Sequence, residues 1–148
     1  MLLISHRGNT TGPSDKENHP DYLKETSKKY FIEVDIWHKD NAYYLGHDGP
    51  EHKINKSFLS DISDVSYFHA KNLEALYSLS TSGYSCFYHN NDDFTLTSNL
   101  FIWTYPEKDI THRSIIVCQS LEQSKKYAKS VAYGICSDYV NLIGSTPF

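Results

Sequence analysis

The sequence predicts an α/β protein, a reduced (β/α) barrel of about seven or eight mostly parallel strands with several helices missing or shortened. Three observations carry that expectation. Short apolar runs alternate with helix-like stretches from one end of the chain to the other. No shift in composition divides the 148 residues into two domains, so residues 1–148 read as a single one. Polar residues suited to chemistry stand at the C-terminal ends of the predicted strands, where barrels of this kind keep their sites. A full eightfold barrel needs about 200 residues or more, so several of its units must be cut down here.

Leu2 to His6 reads as the first strand, and a loop with Gly8, Gly12 and Pro13 leads to a helix starting near Pro20. Pro at the helix start, Asp21 in the first turn and Lys28-Lys29 at the end suit the helix dipole, with His19 as the entry residue. Phe31 to Trp37 is the next strand. A turn at Asp40-Asn41 and the run Tyr43-Tyr44-Leu45 suggest a hairpin that delivers His47. Val65 to Lys71 reads as a strand, followed by a helix from Leu73 to Ser80 capped by Asn72. Cys86 to His89, Leu100 to Tyr105 and Ser114 to Gln119 are further strands. Ser120 and Gln123 fit a capping box opening a helix through about Lys129, and Gly134 to Val140 closes the sheet. Asn90 to Asn99 and Pro106 to Arg113 read as loops without helices, so an uncovered face there calls for tight loop packing or a homo-oligomer partner.

With 39% apolar and 22% charged residues the composition is that of an ordinary globular domain. A formal charge of −4 lacks the basic excess that phosphate neutralisation requires, which excludes nucleic acid as a general partner despite 12 tyrosines available for stacking. Cys86, Cys118 and Cys136 lie far apart in apolar runs and read as buried, reduced thiols. Met1 to Ile4 is too short for a signal-peptide core. No apolar stretch approaches the roughly 18 residues of a membrane span, and the chain is expected to be cytoplasmic.

The chemistry is concentrated in the first third. Because strand side chains alternate, Glu33, Asp35 and Trp37 share one face while Ile32, Val34 and Ile36 share the other. Two acids on one strand face are costly to bury unless a positive partner meets them, and a hard divalent ion is a natural one. His6 and His47 can exchange protons near neutral pH, and the Arg7 fork can grip phosphate oxygens. Together these are the requirements of metal-assisted phosphodiester cleavage.

Ile4-Ser5-His6-Arg7-Gly8, Glu17-Asn18-His19-Pro20, Glu33-Val34-Asp35-Ile36-Trp37 and Leu45-Gly46-His47-Asp48-Gly49-Pro50 closely resemble the glycerophosphodiester phosphodiesterases, metal-dependent enzymes on a TIM-type barrel. Phe68-His69-Ala70-Lys71-Asn72 and Gly134-Ile135-Cys136-Ser137-Asp138-Tyr139 are similar to the family's later strand ends. The resemblance implies His6 and His47 as the acid-base pair, Arg7 and Lys71 as phosphate contacts, and Glu33 with Asp35 as ligands of Mg2+ or Ca2+. It further implies attack by a neighbouring substrate hydroxyl on phosphorus, then hydrolysis of the cyclic product, on a small phosphodiester. His69 stands where the family has a third acidic ligand, and imidazole shifts preference toward Mn2+ or Zn2+.

His89, Trp103 and Asp138 are further candidates for the pocket, and the loop Asn90 to Asp93 is placed to line it. Glu17 reads as a structural residue of the first loop, and His38, His52 and His112 as structural or exposed. Two alternatives to hydrolysis stay open: a barrel that binds phosphate and cation without turnover, and a lyase that stops at the cyclic phosphate.

Overall fold

A computed structural model describes residues 1–144. The chain runs through β1 (Leu2–His6), α1 (Pro20–Thr26), β2 (Phe31–Lys39), β3 (Ala42–Leu45), β4 (His52–Ile54), α2 (Lys56–Ile62) and β5 (Ser66–Ala70). It continues through α3 (Leu73–Thr81), β6 (Cys86–Phe87), β7 (Phe94–Leu96), β8 (Ile102–Thr104), β9 (Ser114–Cys118), α4 (Leu121–Tyr127) and β10 (Gly134–Ser137).

The caps expected from the sequence hold three of the helices. The side chains of His19, Asn72 and Ser120 accept from the backbone N–H groups of Asp21, Ala75 and Gln123, satisfying donors that the first turn leaves open. Gln123 closes its box one residue early, accepting from the Gln119 N–H at 2.8 Å. Asp40 and Asn41 both adopt positive φ, 52° and 59°, as a tight turn between antiparallel strands requires.

The closed, mostly parallel barrel expected above is not what the chain builds. The sheet curls into a half-barrel that mixes parallel and antiparallel strands, and its four described helices are only seven to nine residues long. Parallel pairing joins β6-β5-β2-β1-β10-β9-β8 in that spatial order. β2 outruns β1, and beyond His6 the freed edge of β2 is taken by β3, antiparallel, which in turn carries β4. β7 pairs antiparallel with β8 because the Thr97 to Phe101 link is too short for a parallel crossover. Cys86 of β6 and Ser98 bond reciprocally, Ser98 N–H to the Cys86 carbonyl at 2.8 Å and Cys86 N–H to the Ser98 hydroxyl at 2.9 Å, and just past β6 the Tyr88 carbonyl accepts from the Thr95 hydroxyl at 3.1 Å.

Alternation along β2 divides the molecule as the sequence predicts. Ile32, Val34 and Ile36 pack outward against Leu23 of α1, Leu59 and Ile62 of α2, and Ala75 and Leu79 of α3. Burial of each such aliphatic side chain stabilises the fold by about 1.5–3 kcal/mol. Inside the curl, Ile4, Tyr67, Phe87, Trp103, Ile115 and Cys136 form an apolar plug. The polar residues of the strand ends lie above it. All three cysteines are buried and free, as expected. No helix among the described residues is long and apolar enough to cross a membrane.

Candidate active site

β1 delivers His6 and then turns sharply. Arg7 adopts φ 57° and Gly8 φ 93°, and a Cβ on Gly8 would lie 2.7 Å from the Tyr22 ring. Only glycine fits there, which explains the Arg7-Gly8 pair physically. Just after β3, Gly46 donates its N–H to the Asp35 carbonyl in the middle of β2, and its own carbonyl accepts from the Trp37 indole at 2.7 Å. A Cβ on Gly46 would meet the Gly49 carbonyl, so this second glycine is equally forced, and it sets His47 over the strand.

Glu33 and Asp35 are almost completely buried, 2% and 0% exposed. Parallel register places His69 of β5 directly opposite Asp35. Its Nδ1 lies 3.2 Å from Asp35 Oδ1 and 3.4 Å from Glu33 Oε1. One ligand atom from each of these three residues lies within 4.8 Å of the others. Asp35 Oδ2 accepts from Asn18 Nδ2 at 2.9 Å, while the Asp35 N–H donates to Asn18 Oδ1. Arg7 Nε also lies 2.9 Å from Oδ2, an ion pair whose N–H is not aligned for a hydrogen bond. Asp35 Oδ1 and Glu33 Oε2 are buried with no aligned donor. Asp35 Oδ1, which has no aligned donor, and Glu33 Oε1 both lie beside His69 Nδ1, a donor set that fits a divalent cation.

Burial opposes charge on Asp35, yet the His69 contact and the Arg7 charge hold its carboxyl well below the usual range. The same carboxylates outweigh the burial of His69 and push its imidazole up to about 9. Lys71 Nζ adds a further positive charge 3.8 Å from Asp35 Oδ1.

His6 Nδ1 lies 2.9 Å from Asp138 Oδ1, just beyond β10. Burial, which disfavours a charged Asp138, is outweighed by the His6 hydrogen bond, so the carboxyl stays below its ordinary value. An ionised carboxylate only accepts, so His6 Nδ1 carries the hydrogen and Nε2 faces Glu33 Oε2 at 3.9 Å. Burial pulls the His6 imidazole down, and the bond to Asp138 with the Glu33 charge more than reverses that. Asn9 donates to both Asp138 and Glu17, and Glu17 receives Arg7, so one brace ties both halves of the site.

A cavity of about 680 Å3 opens over these groups. His6, Arg7, Glu33, His69, Lys71 and Asp138 form one side, and His47 stands at the rim. The His47 side chain is 42% exposed, with Nδ1 2.8 Å from Asp48. Every residue picked from the sequence except Asp35 lines the cavity, and Asp35 sits directly beneath through His69 and Lys71. The far side includes His89, the loop residues Asn90 to Asp92, Trp103, Tyr105 and Gln119. His89 stacks on His69 with centroids 4.7 Å apart and planes 3° apart, and Trp103 stacks on Phe87 at 4.3 Å. Burial, then the His69 charge, hold His89 below its ordinary pKa.

Sequence reasoning missed the brace. The motifs assign no role to Asn9 or Asn18, and Glu17, expected to be a structural residue of the first loop, accepts from the Arg7 and Asn9 side chains. Asn18 adopts a positive φ of 58°, a conformation that Asn tolerates better than most residues. Comparison of the chain with protein-family models, with curated proteins and with solved structures finds no match. The family resemblance therefore rests on the sequence motifs alone.

Proposed function

We propose that this chain is a metal-dependent phosphodiesterase acting on glycerophosphodiesters or a related small phosphodiester. The carrying observation is convergence. Two imidazoles, a guanidinium, an ammonium and a buried acid pair from separate segments border one cavity or lie at its floor. A bound divalent cation at Glu33, Asp35 and His69 would polarise the phosphoryl group.

The chain's own groups supply the rest. Arg7 and Lys71 offset the charge of the non-bridging phosphate oxygens. His47 takes the proton of the attacking hydroxyl as the new P–O bond forms. His6, as an imidazolium oriented by its Nδ1–H bond to Asp138, gives its Nε2 proton to the departing alkoxide as the old P–O bond breaks and is left as the neutral Nδ1–H imidazole.

A second reading, phosphate capture without turnover, draws on the cations already set against the acid pair by His69, Lys71 and Arg7. Incubation with glycerophosphocholine and a panel of divalent ions, followed by phosphorus NMR, separates the readings. Glycerol phosphate as product supports the hydrolase, and a persistent cyclic phosphate indicates a lyase. Intact diester with every ion contradicts the proposal and leaves the binding reading.

A further inference from the structure

We infer that the Glu33–Asp35–His69 cluster takes a borderline first-row cation of the Mn2+ to Zn2+ series in preference to Mg2+ or Ca2+. The inference rests on the reading of this cluster as a cation site, and not on the reaction assigned to it.

The argument begins with the outer shell. Asn18 and Arg7 occupy Asp35 Oδ2, so Asp35 has one oxygen, Oδ1, turned toward the cluster. Asn18 is itself fixed, 2% exposed, with its amide bound at both ends by Asp35. Asp35 is thus presented through a single oxygen. Ca2+ is served by about six to eight oxygens, commonly including a two-oxygen carboxylate, and the protein here offers only two acids.

The third donor is a nitrogen that cannot turn away. The His69 ring lies against Phe87, centroids 4.8 Å apart and planes 17° apart, and against His89 at 4.7 Å and 3°. Phe87 is 1% exposed and is pinned in turn by Trp103, so the stack on that face of the ring cannot open without disturbing the apolar plug. A cation placed between Glu33 Oε1 and Asp35 Oδ1 therefore meets His69 Nδ1, which stands 3.4 and 3.2 Å from those oxygens. Imidazole is a good ligand for zinc, iron and cobalt and a poor one for Mg2+ and Ca2+. Arg7 and Lys71 beside Asp35 weigh against an ion held by charge alone. A metal that gains a bond to nitrogen recovers what that repulsion costs.

The test uses the full chain, stripped with chelator and dialysed against Zn2+, Co2+, Mn2+, Mg2+ or Ca2+, with bound metal measured by mass spectrometry. One Co2+ or Zn2+ per chain should bind at least about tenfold more tightly than Mg2+ or Ca2+. The Co2+ protein should show a paramagnetically shifted imidazole N–H in its proton spectrum, absent in His69→Gln. His69→Asp should move the selectivity toward Mg2+ by at least about tenfold while retaining the wild-type circular dichroism. If His69→Asp does not fold, the Co2+ spectrum of the unmodified chain decides the question. Equal or tighter binding of Mg2+ or Ca2+, no metal bound at all, or a Co2+ spectrum without an imidazole signal overturns the inference. A chain that binds Co2+ through His69 but leaves every phosphodiester intact keeps the inference and sinks the proposed reaction. A chain that cleaves diesters and binds Mg2+ best does the reverse.

Discussion

The two sides of the cavity are built differently. On the side of β1, β2, β5 and β10, buried charges are held by short, reciprocal contacts: His6 to Asp138, Asn9 to Glu17 and Asp138, Asn18 to Asp35. On the side of β6 to β9 the polar groups sit on exposed loop. Asn90, Asn91 and Asp92 are open to solvent, and the Asn90 N–H reaches Asp92 at only 3.4 Å. Beneath both runs the same apolar plug. The contrast shows where precision is needed: groups that move protons or hold a cation must be set before substrate arrives, whereas groups that recognise an alcohol can adapt.

Substitutions on the braced side should accordingly affect the chemical step, and those on the open side should affect binding. The largest loss is expected from His6→Ala, about a hundredfold to ten-thousandfold in kcat with the fold retained, measured by steady-state kinetics and circular dichroism. An unchanged rate would show that the braced side does no chemistry. Next comes Asn18→Gly, which keeps the left-handed backbone accessible and removes both bonds to Asp35. Metal affinity should fall by about 10–100-fold in equilibrium dialysis.

Asp138→Asn should act more gently and with a definite sign. The bond to Asp138 and the Glu33 charge hold His6 above its ordinary pKa, so its protonated form persists to higher pH. Without the Asp138 charge, the alkaline limb of the rate profile should move to lower pH. Linkage adds a stability effect. The raised His6 contributes stability that is full below its unfolded pKa and is lost as pH rises through the folded value. The lowered Asp138 contributes stability above its unfolded pKa that is lost as pH falls through the folded value. The mutant should therefore lose most in the mildly acidic window between the ordinary values of 3.8 for Asp and 6.5 for His, where both contributions are full, and a series of thermal melts across pH checks it. The smallest effect is expected on the open side. Tyr105→Ala should raise KM a few-fold with kcat unchanged, the mark of lost uniform binding. A large fall in kcat there would erase the distinction between the two sides.

Legibility in the sequence follows the same division. Alternation along Phe31 to Trp37 correctly put the acids on one face and the aliphatics on the other, because a strand's period survives any context. Caps at Asn72 and Ser120 were readable for a similar reason, being local bonds. β4 and β7 were not, since three residues show no period and gain their conformation from β3 and β8. α2 did carry a signal that went unread: Asn55 caps it, and Leu59 and Ile62 recur at helical spacing. Closure of the sheet was misjudged because strand count says nothing about link length, and the short Thr97 to Phe101 link dictates an antiparallel return. The brace of Asn9, Glu17 and Asn18 was not legible because Asn9 reaches Asp138 and Asn18 reaches Asp35 only in the folded chain, and the loop bond from Asn9 to Glu17 has no recurring spacing to mark it.

The central claim is that His6, Glu33, Asp35 and His69 form one working site, and a crystal grown with Co2+ and inorganic phosphate tests it most directly. The account predicts a single anomalous peak between Glu33, Asp35 and His69, with phosphate oxygens turned toward Arg7, Lys71 and His6 Nε2. A peak elsewhere on the molecule, or phosphate seated away from these residues, would contradict it.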